Sequence, residues 1–498
     1  MFGRTATTSV RQLYASTPFR IVQGAEKTAV VTCRRTYSDF SADARDTDFV
    51  PKYVSKPEVT APTATPTGLE RMPNINVFRN LLLGTMLTSP ILSKIGFGLF
   101  GTVTNSKSAM LNPDRNPVLR AIIKPLIYDQ FCAGTNPKEI FRTRDVTKGM
   151  GYGGIVLCYG KEIQISSTGE VHSTGKGNAN QTLEINAWRD GNLETLDMTG
   201  KGDWLGMKLT GAGPGVTKAL MQNQEPPQEF VAAMDAICQK AKDQNVRLWV
   251  DAEQQTVQTA IDRWTIDFMR KWNKDGDVVV YQTIQAYLKA SRPRLMNQLA
   301  IAEREGWTIA VKLVRGAYIA NDQRELIHDT KQDTDDSYNG LVHDMLSGTN
   351  LGFTPDKFPR MQLILAGHNP ESVAKAWNLV QRLSEKGTLK VLPEFVQLQG
   401  MGDELGCKVL QRCDDLRKQK GSVTTGALTL EQANSSGRQN AVVPAVYKCL
   451  TWGSIQECMQ YLYRRLVENQ GGADRMKDGL SAYRQEVWRR LTRSLSFR

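Results

Sequence analysis

Eight short apolar runs recur along residues 150–470 of the 498-residue chain, each followed by a stretch of helical character. The runs are Gly154–Tyr159, Leu205–Leu209, Val246–Asp251, Val278–Ile284, Ile309–Val314, Gln362–Ala366, Glu394–Leu398 and Val443–Leu450. Several are apolar at successive positions, as a strand must be when helices cover one side and side chains fill the other. Between them lie amphipathic stretches such as PPQEFVAAMDAICQKAKDQN, TVQTAIDRWTIDFMRKWNK, SRPRLMNQLAIAEREG and SVAKAWNLVQRLSEKG. Eightfold alternation of strand and helix predicts an α/β chain folded as a TIM-like (β/α)8 barrel with catalytic groups at the carboxyl ends of its strands. Pro444 sets the true start of the last strand later than Val443.

The barrel segment spans 150–475, and the remaining chain divides by composition. Residues 1–38 hold Arg4, Arg11, Arg20, Lys27, Arg34 and Arg35 against the single acid Glu26, among many Ser and Thr. They read as a mitochondrial presequence cleaved near Arg35–Ser38, or as a plain basic tail. Residues 39–75 form a linker or arm, Pro- and Thr-rich over 51–70. An N-terminal helical region follows over 76–149. Its stretch 78–104 is nearly apolar, but Ser89-Pro90 and Lys94 make a membrane span costly. Helices packed on the domain or lying on a membrane surface are the better readings, and peripheral attachment is the one retained. Residues 165–185 and 416–440, rich in Gly, Ser, Thr and Asn, read as surface insertions, and 476–498 as a C-terminal tail or helix.

The charge of +12 suits an anionic partner, yet no RRM, KH or zinc-finger text accompanies it, so nucleic acid is not expected. None of the eight cysteines stands at CxxC spacing, and His172, His328, His343 and His368 form no HExxH, so no metal is expected. Gly211-Ala212-Gly213-Pro214-Gly215 imitates a dinucleotide loop, but Val216 stands where the last Gly or Ala belongs and Pro214 removes an amide donor.

The strand ends collect the chemistry. Lys208 lies in the second run and Asp251 ends the third, a pair that is either an electrostatic element of a cleft or a strut of the rim. Gln285 and Tyr287 follow the fourth. Lys312, Arg315, Gly316, Ala317 and Tyr318 mark the fifth, where two cations beside a glycine suit phosphate or a flavin ring, or form a solvated basic loop. His368 closes the sixth run, and Gln397 lies in the seventh with a hydrogen-bonding amide. After the last run, SIQECMQYLYRRLVENQG reads as a helix with Arg464 and Arg465 adjacent and Glu468 within a turn of both. Two guanidiniums can hold a small carboxylate, with Glu468 orienting them, or all three can form a solvent-facing ladder.

Taken together, QFCAGTNPKEI, GMKLTGAG, VDAEQQTVQTAIDRW, IQAYLK, VKLVRGAY, LAGHN, QLQGMG and WGSIQECMQYLYRRLVEN resemble the FAD-dependent proline dehydrogenases, most closely the fungal mitochondrial kind. The resemblance covers about residues 128–470 in order. It implies a distorted (β/α)8 barrel with an N-terminal helical arm and FAD over the strand ends. By the same likeness Lys208 and Asp251 are catalytic. Arg464, Arg465, Glu468 and Cys449 bind substrate, with the arginines on its carboxylate. Gln285, Lys312, Arg315, Gly316, Ala317 and His368 line FAD, with Lys312 beside flavin N5. The implied reaction moves a hydride from C5 of L-proline to flavin N5, giving 1-pyrroline-5-carboxylate. Electrons then pass to ubiquinone from a protein peripheral to the mitochondrial inner membrane, or on its matrix face. The flavin would carry the redox chemistry without a metal.

One departure stands out. The family usually has a tyrosine in a YxPxG string before the last strand's glycine, and this chain has Cys449-Leu450-Thr451-Trp452-Gly453. A thiol in place of a ring opens space, so a larger amino or imino acid is an alternative substrate. Tyr447, two residues away, faces the same side of a strand and is a candidate to compensate.

Overall fold

The apolar runs form eight parallel strands, β1 (Gly154–Tyr159), β2 (Trp204–Met207), β3 (Arg247–Val250), β4 (Val280–Gln285), β5 (Ile309–Val314), β6 (Met361–Ala366), β7 (Pro393–Leu398) and β8 (Val446–Trp452). β1 pairs with β2 on one side and β8 on the other, with Val156 opposite Trp204 and Cys449, so the sheet closes into a barrel. This computed structural model describes residues 68–106, 108–160, 164–165, 171–172, 181–319, 321–420, 424–425, 442–470 and 473–495. The presequence reading of 1–38 and most of the segments 39–75, 165–185 and 416–440 lie outside the described residues.

The strand boundaries differ from expectation where a turn residue intervenes. β2 begins at Trp204 and stops at Met207, which leaves Lys208 as the first residue beyond the strand. At the other end of the chain, Val442–Val443 pair separately with Thr424–Thr425; β8 starts, as expected, only after Pro444, which has no N–H for the ladder, and continues past Leu450 to Trp452.

Period-two alternation sends Trp204, Trp249, Tyr281, Tyr447 and Val396 into the barrel, while Leu205, Leu248, Val280 and Phe395 pack outward against the helices. The amino end of the barrel is closed by charge on aromatic rings. The Arg247 guanidinium lies 3.8 Å from the Trp204 ring centroid and donates two 2.9 Å hydrogen bonds to Glu394. It also reaches the Tyr281 hydroxyl at 3.3 Å and the Tyr447 hydroxyl at 3.2 Å. This layer is a packed plug and leaves no way through.

Beside the barrel, the apolar stretch 78–104 is divided between α1 (Asn74–Thr88) and α2 (Pro90–Asn105), which meet at 102°. Pro90 at the first helical position and Ser89 before it explain the break. No single described helix is long and apolar enough to cross a membrane. Both helices pack on α3 (Ile455–Gln470), the helix after β8: Leu83, Phe100, Ile123 and Phe131 meet Ile455, Met459 and Leu462. Asp114 caps α3, accepting hydrogen bonds from the amides of Ile455 at 3.2 Å and Gln456 at 2.9 Å. The last helix, α4 (Ala473–Leu495), lies along α1, where Arg490 donates to the carbonyls of Leu69 at 2.8 Å and Met72 at 3.0 Å.

Candidate active site

The carboxyl end of the barrel gathers most of the residues singled out above. The Lys312 ammonium, in the middle of β5, pairs with the Asp251 carboxylate just past β3 and sits 4.1 Å from the centroid of the Trp249 ring. Lys312 is 5% exposed, so this ammonium is held by its partner and the ring rather than by water. Gly206 lets β2 approach closely: a Cβ there would lie 2.5 Å from Cys158 Sγ and 2.8 Å from Trp249 Nε1. Lys208 stands two residues further along the same chain, so alternation places it above this layer, and its carbonyl accepts from Trp188 at 3.1 Å.

Cys449 belongs to the inward-facing set of β8, and its Sγ lies 3.8 Å from Cys158 Sγ. The hydrogen bond to Cys449, burial and the Asp251 carboxylate push the Cys158 thiol well above its ordinary range, against the pull of Lys312. The site floor is therefore an ion pair, an indole and two thiols. Tyr447 shares the inward side with Cys449, as expected, but does not compensate for it. Its hydroxyl is engaged by Arg247 and Glu394 one layer down, toward the amino end.

Gln285, 3% exposed at the end of β4, donates from Nε2 to the Glu253 carbonyl at 3.3 Å. Glu253 in turn accepts from the Thr210 amide and hydroxyl, which ties the loop after Lys208 to the end of β3. Neither Glu253 nor Thr210 was singled out from sequence, although Glu253 lies only two residues beyond Asp251. Arg315 donates to Asp335 at 2.8 Å and to Ser372 at 2.7 Å, with its guanidinium carbon 4.4 Å from the Tyr338 ring centroid. These partners fix its plane at the rim. Gly316 has φ +137°, and a Cβ there would overlap Tyr287 Cδ1 at 2.3 Å, so the chain after β5 passes flat over that ring. Ala317 next to it is exposed.

His368 Nε2 accepts the Leu398 amide at 2.9 Å, which assigns the neutral ring's proton to Nδ1. Gln397 stands apart from the other strand-end groups. Its neighbours Val396 and Leu398 face inward, so its amide is directed outward, toward Gly406 of the helix Asp403–Lys420. Arg464 and Arg465 lie on α3, and the Arg465 guanidinium carbon is 5.1 Å from the centroid of Tyr461. Burial pushes the Tyr461 hydroxyl up, opposed by Arg465 and reinforced by Cys132 and Cys449, which places this turn of α3 near the end of β8. Glu468 belongs to the same helix. The imitation dinucleotide loop serves packing: Cβ atoms at Gly213 and Gly215 would strike Glu184 and Gln181 of the helix Gln181–Asp197.

Residues 165–478, which include β2 through β8, match the family model described as proline dehydrogenase. The chain belongs to the proline dehydrogenase family. Among relatives, a probable mitochondrial proline dehydrogenase of Schizosaccharomyces pombe is 26% identical over 422 residues, 73% of this chain and 79% of that one. A human hydroxyproline dehydrogenase is 32% identical over 281 residues, 54% of this chain and 53% of that one. The match to human proline dehydrogenase 1 takes in only 38% of that protein. In fold, the chain is similar to proline utilization A of Bdellovibrio bacteriovorus, with a TM-score of 0.55 at 15% identity, over 78% of this chain and 38% of that one.

Proposed function

We propose that the chain oxidises L-proline to 1-pyrroline-5-carboxylate with FAD as cofactor, at the carboxyl end of the barrel. The observation that carries this reading is the buried Lys312–Asp251 pair over Trp249, surrounded by donors from consecutive strand ends. Lys312, Gln285, Arg315 and the Nδ1–H of His368 form a donor set suited to the acceptor-rich flavin ring and its pyrophosphate, and Gly316 keeps the backbone beside them low. FAD, when bound, supplies the two-electron acceptor.

The protein's own residues do the rest. Arg464 and Arg465 hold the proline carboxylate, and Glu468 orients them. Lys208 and Asp251 bound the ring from the strand ends, with Asp251, paired to Lys312, placed to accept a hydrogen bond from the ring nitrogen. The reaction requires a hydride to leave C5 and a proton to leave the nitrogen, forming the C5=N bond. Packing of α3 over the end of β8 keeps water from that bond.

Electrons then pass to ubiquinone, and the protein attaches peripherally to the inner mitochondrial membrane. A basic, acid-poor segment 1–38 and relatives named as mitochondrial support that location. A second reading is favoured by Cys449, whose thiol occupies less space than a tyrosine, and by relatives named hydroxyproline dehydrogenase. On that reading the substrate is another secondary amine carboxylate, larger or hydroxylated. Anaerobic visible absorption before and after L-proline separates the two. Bleaching of a bound flavin by proline supports the first; bleaching only by 4-hydroxyproline supports the second; absence of bound flavin refutes both.

A further inference from the structure

The helix α2 is apolar on two opposite sides. Ser93, Phe97, Phe100 and Thr104, at helical spacing, turn toward α3, where Phe100 stacks with Tyr463 at 6.4 Å between centroids and Phe97 meets the same ring edge-on. On the other side Ile91, Leu92, Ile95 and Leu99 are exposed, Ile91 at 73% and Leu99 at 68%. The next segment adds exposed Met110, Val118 and Ile122. A surface helix of a globular protein ordinarily turns polar groups outward, and an apolar area of this extent marks a contact site.

The exposed charge beside it is basic. Arg79 and Lys124 are paired with Asp129 and Arg120 with Asp114, while Lys94 on α2 and Arg115 in the following segment are exposed next to the apolar side chains. The 102° bend between α1 and α2 suits helices lying along a bilayer rather than through it. We propose that the outward face of α2, continued by residues 109–122, is the docking face for an anionic lipid bilayer. The proposal rests on reading the chain as an enzyme with a membrane-dissolved electron acceptor, and it gives that reading a surface. The face lies back to back with α3, which leaves the carboxyl end of β8 and carries Arg464 and Arg465, so docking sets the bilayer on the same side as the substrate helix.

Flotation of the full chain with phosphatidylcholine vesicles, with and without about one-third phosphatidylglycerol, tests it. The parent should float with the anionic vesicles and lose binding as salt rises. Ile95→Glu/Leu99→Glu should lower the bound fraction by roughly tenfold or more. Leu183→Glu, at a 64% exposed position on another helix, should bind like the parent. Equal melting temperatures would show all three folded. A parent that ignores anionic vesicles, or a double variant that binds as well as the parent, overturns the assignment. So does a double variant that only splits an oligomer in light scattering, since a second copy would then cover the face. Proline-dependent reduction of a soluble dye, run without vesicles, reports separately on the enzyme reading.

Discussion

Replacing Lys312 by Met tests whether the strand-end pair behaves as a buried ion pair. The Lys312 side chain is 7% exposed and that of Asp251 23%. Removing one partner of a fully buried pair costs ~3–5 kcal/mol because the other charge is left uncompensated. The opening on the Asp251 side moves the expectation to about 2–3 kcal/mol, since water can reach part of the stranded carboxylate. Met preserves the apolar contact with Trp249 and adds no new polar group. Asp251→Asn strands the more buried Lys312 ammonium but keeps an acceptor for it, so it should cost a similar amount, about 2–3 kcal/mol. With both changes no charge remains stranded, and the double variant should be more stable than the sum of the singles by about 2 kcal/mol. Urea unfolding of the parent and three variants measures this, at one fixed FAD concentration because a ligand bound only to the folded form adds its own stabilisation. Additivity within about 0.5 kcal/mol would refute the buried-pair account.

Arg465→Ala should raise the proline KM at least about tenfold while leaving flavin content near that of the parent, because a lost charge-assisted hydrogen bond to a carboxylate is worth ~1.5–3 kcal/mol; equal KM in steady-state assays would remove Arg465 from the carboxylate. Gly316→Ala combines a φ of +137° with a Cβ overlapping Tyr287, and should cost about 2–3 kcal/mol in unfolding and lower flavin retention; an unchanged denaturation midpoint would contradict it. Burial raises the Asp262 carboxyl to about 6 despite Arg294 at 2.8 Å and a hydrogen bond from Gln258. The folded chain therefore holds more protons than the unfolded one between pH 4 and 6, so stability falls as pH rises through that window. Asp262→Asn should remove that fall, worth up to about 3 kcal/mol, and parallel pH–stability curves for parent and variant would exclude Asp262 as its source.

The barrel was legible because its signal is local. β1 and β5 begin and end where the apolar runs do, since those runs are unbroken and closely flanked by glycine or polar residues. The later start of the last strand was legible in the same way, because Pro444 lacks the N–H that the ladder needs, whereas its end runs past Leu450 to Trp452. For the site, position along a strand was readable but partnership was not. Lys312 and Asp251 are 61 residues apart on strands that are not neighbours, and they meet only because the barrel closes around Trp249. Tyr447 shows the corresponding limit of alternation. Period two gives the side a residue faces, and it says nothing of the layer in which another pair will hold its hydroxyl. Gln397 shows the same rule applied with success in retrospect: one residue either way would have turned its amide inward.

The two ends of the barrel use the same components to different ends. At the amino end Arg247 stacks on Trp204, and at the carboxyl end Lys312 sits over Trp249; each cation has a carboxylate from a non-adjacent strand. Arg247 is joined to Glu394 through two nitrogens, and the hydroxyls of Tyr281 and Tyr447 complete a closed network under the core. Nothing can enter there without breaking it. The upper pair has one carboxylate partly open, two thiols where a large ring would fit, and a helix bearing two arginines above the end of β8. Substitution of Arg247 should therefore reduce stability while leaving the proline KM of the folded fraction unchanged, whereas changes at Lys208, Cys449 or Arg465 should alter substrate recognition with less effect on folding. A charged pair over an indole is thus no mark of function in itself. What distinguishes the two is that the lower network is complete within the protein, and the upper one faces space that a substrate can occupy.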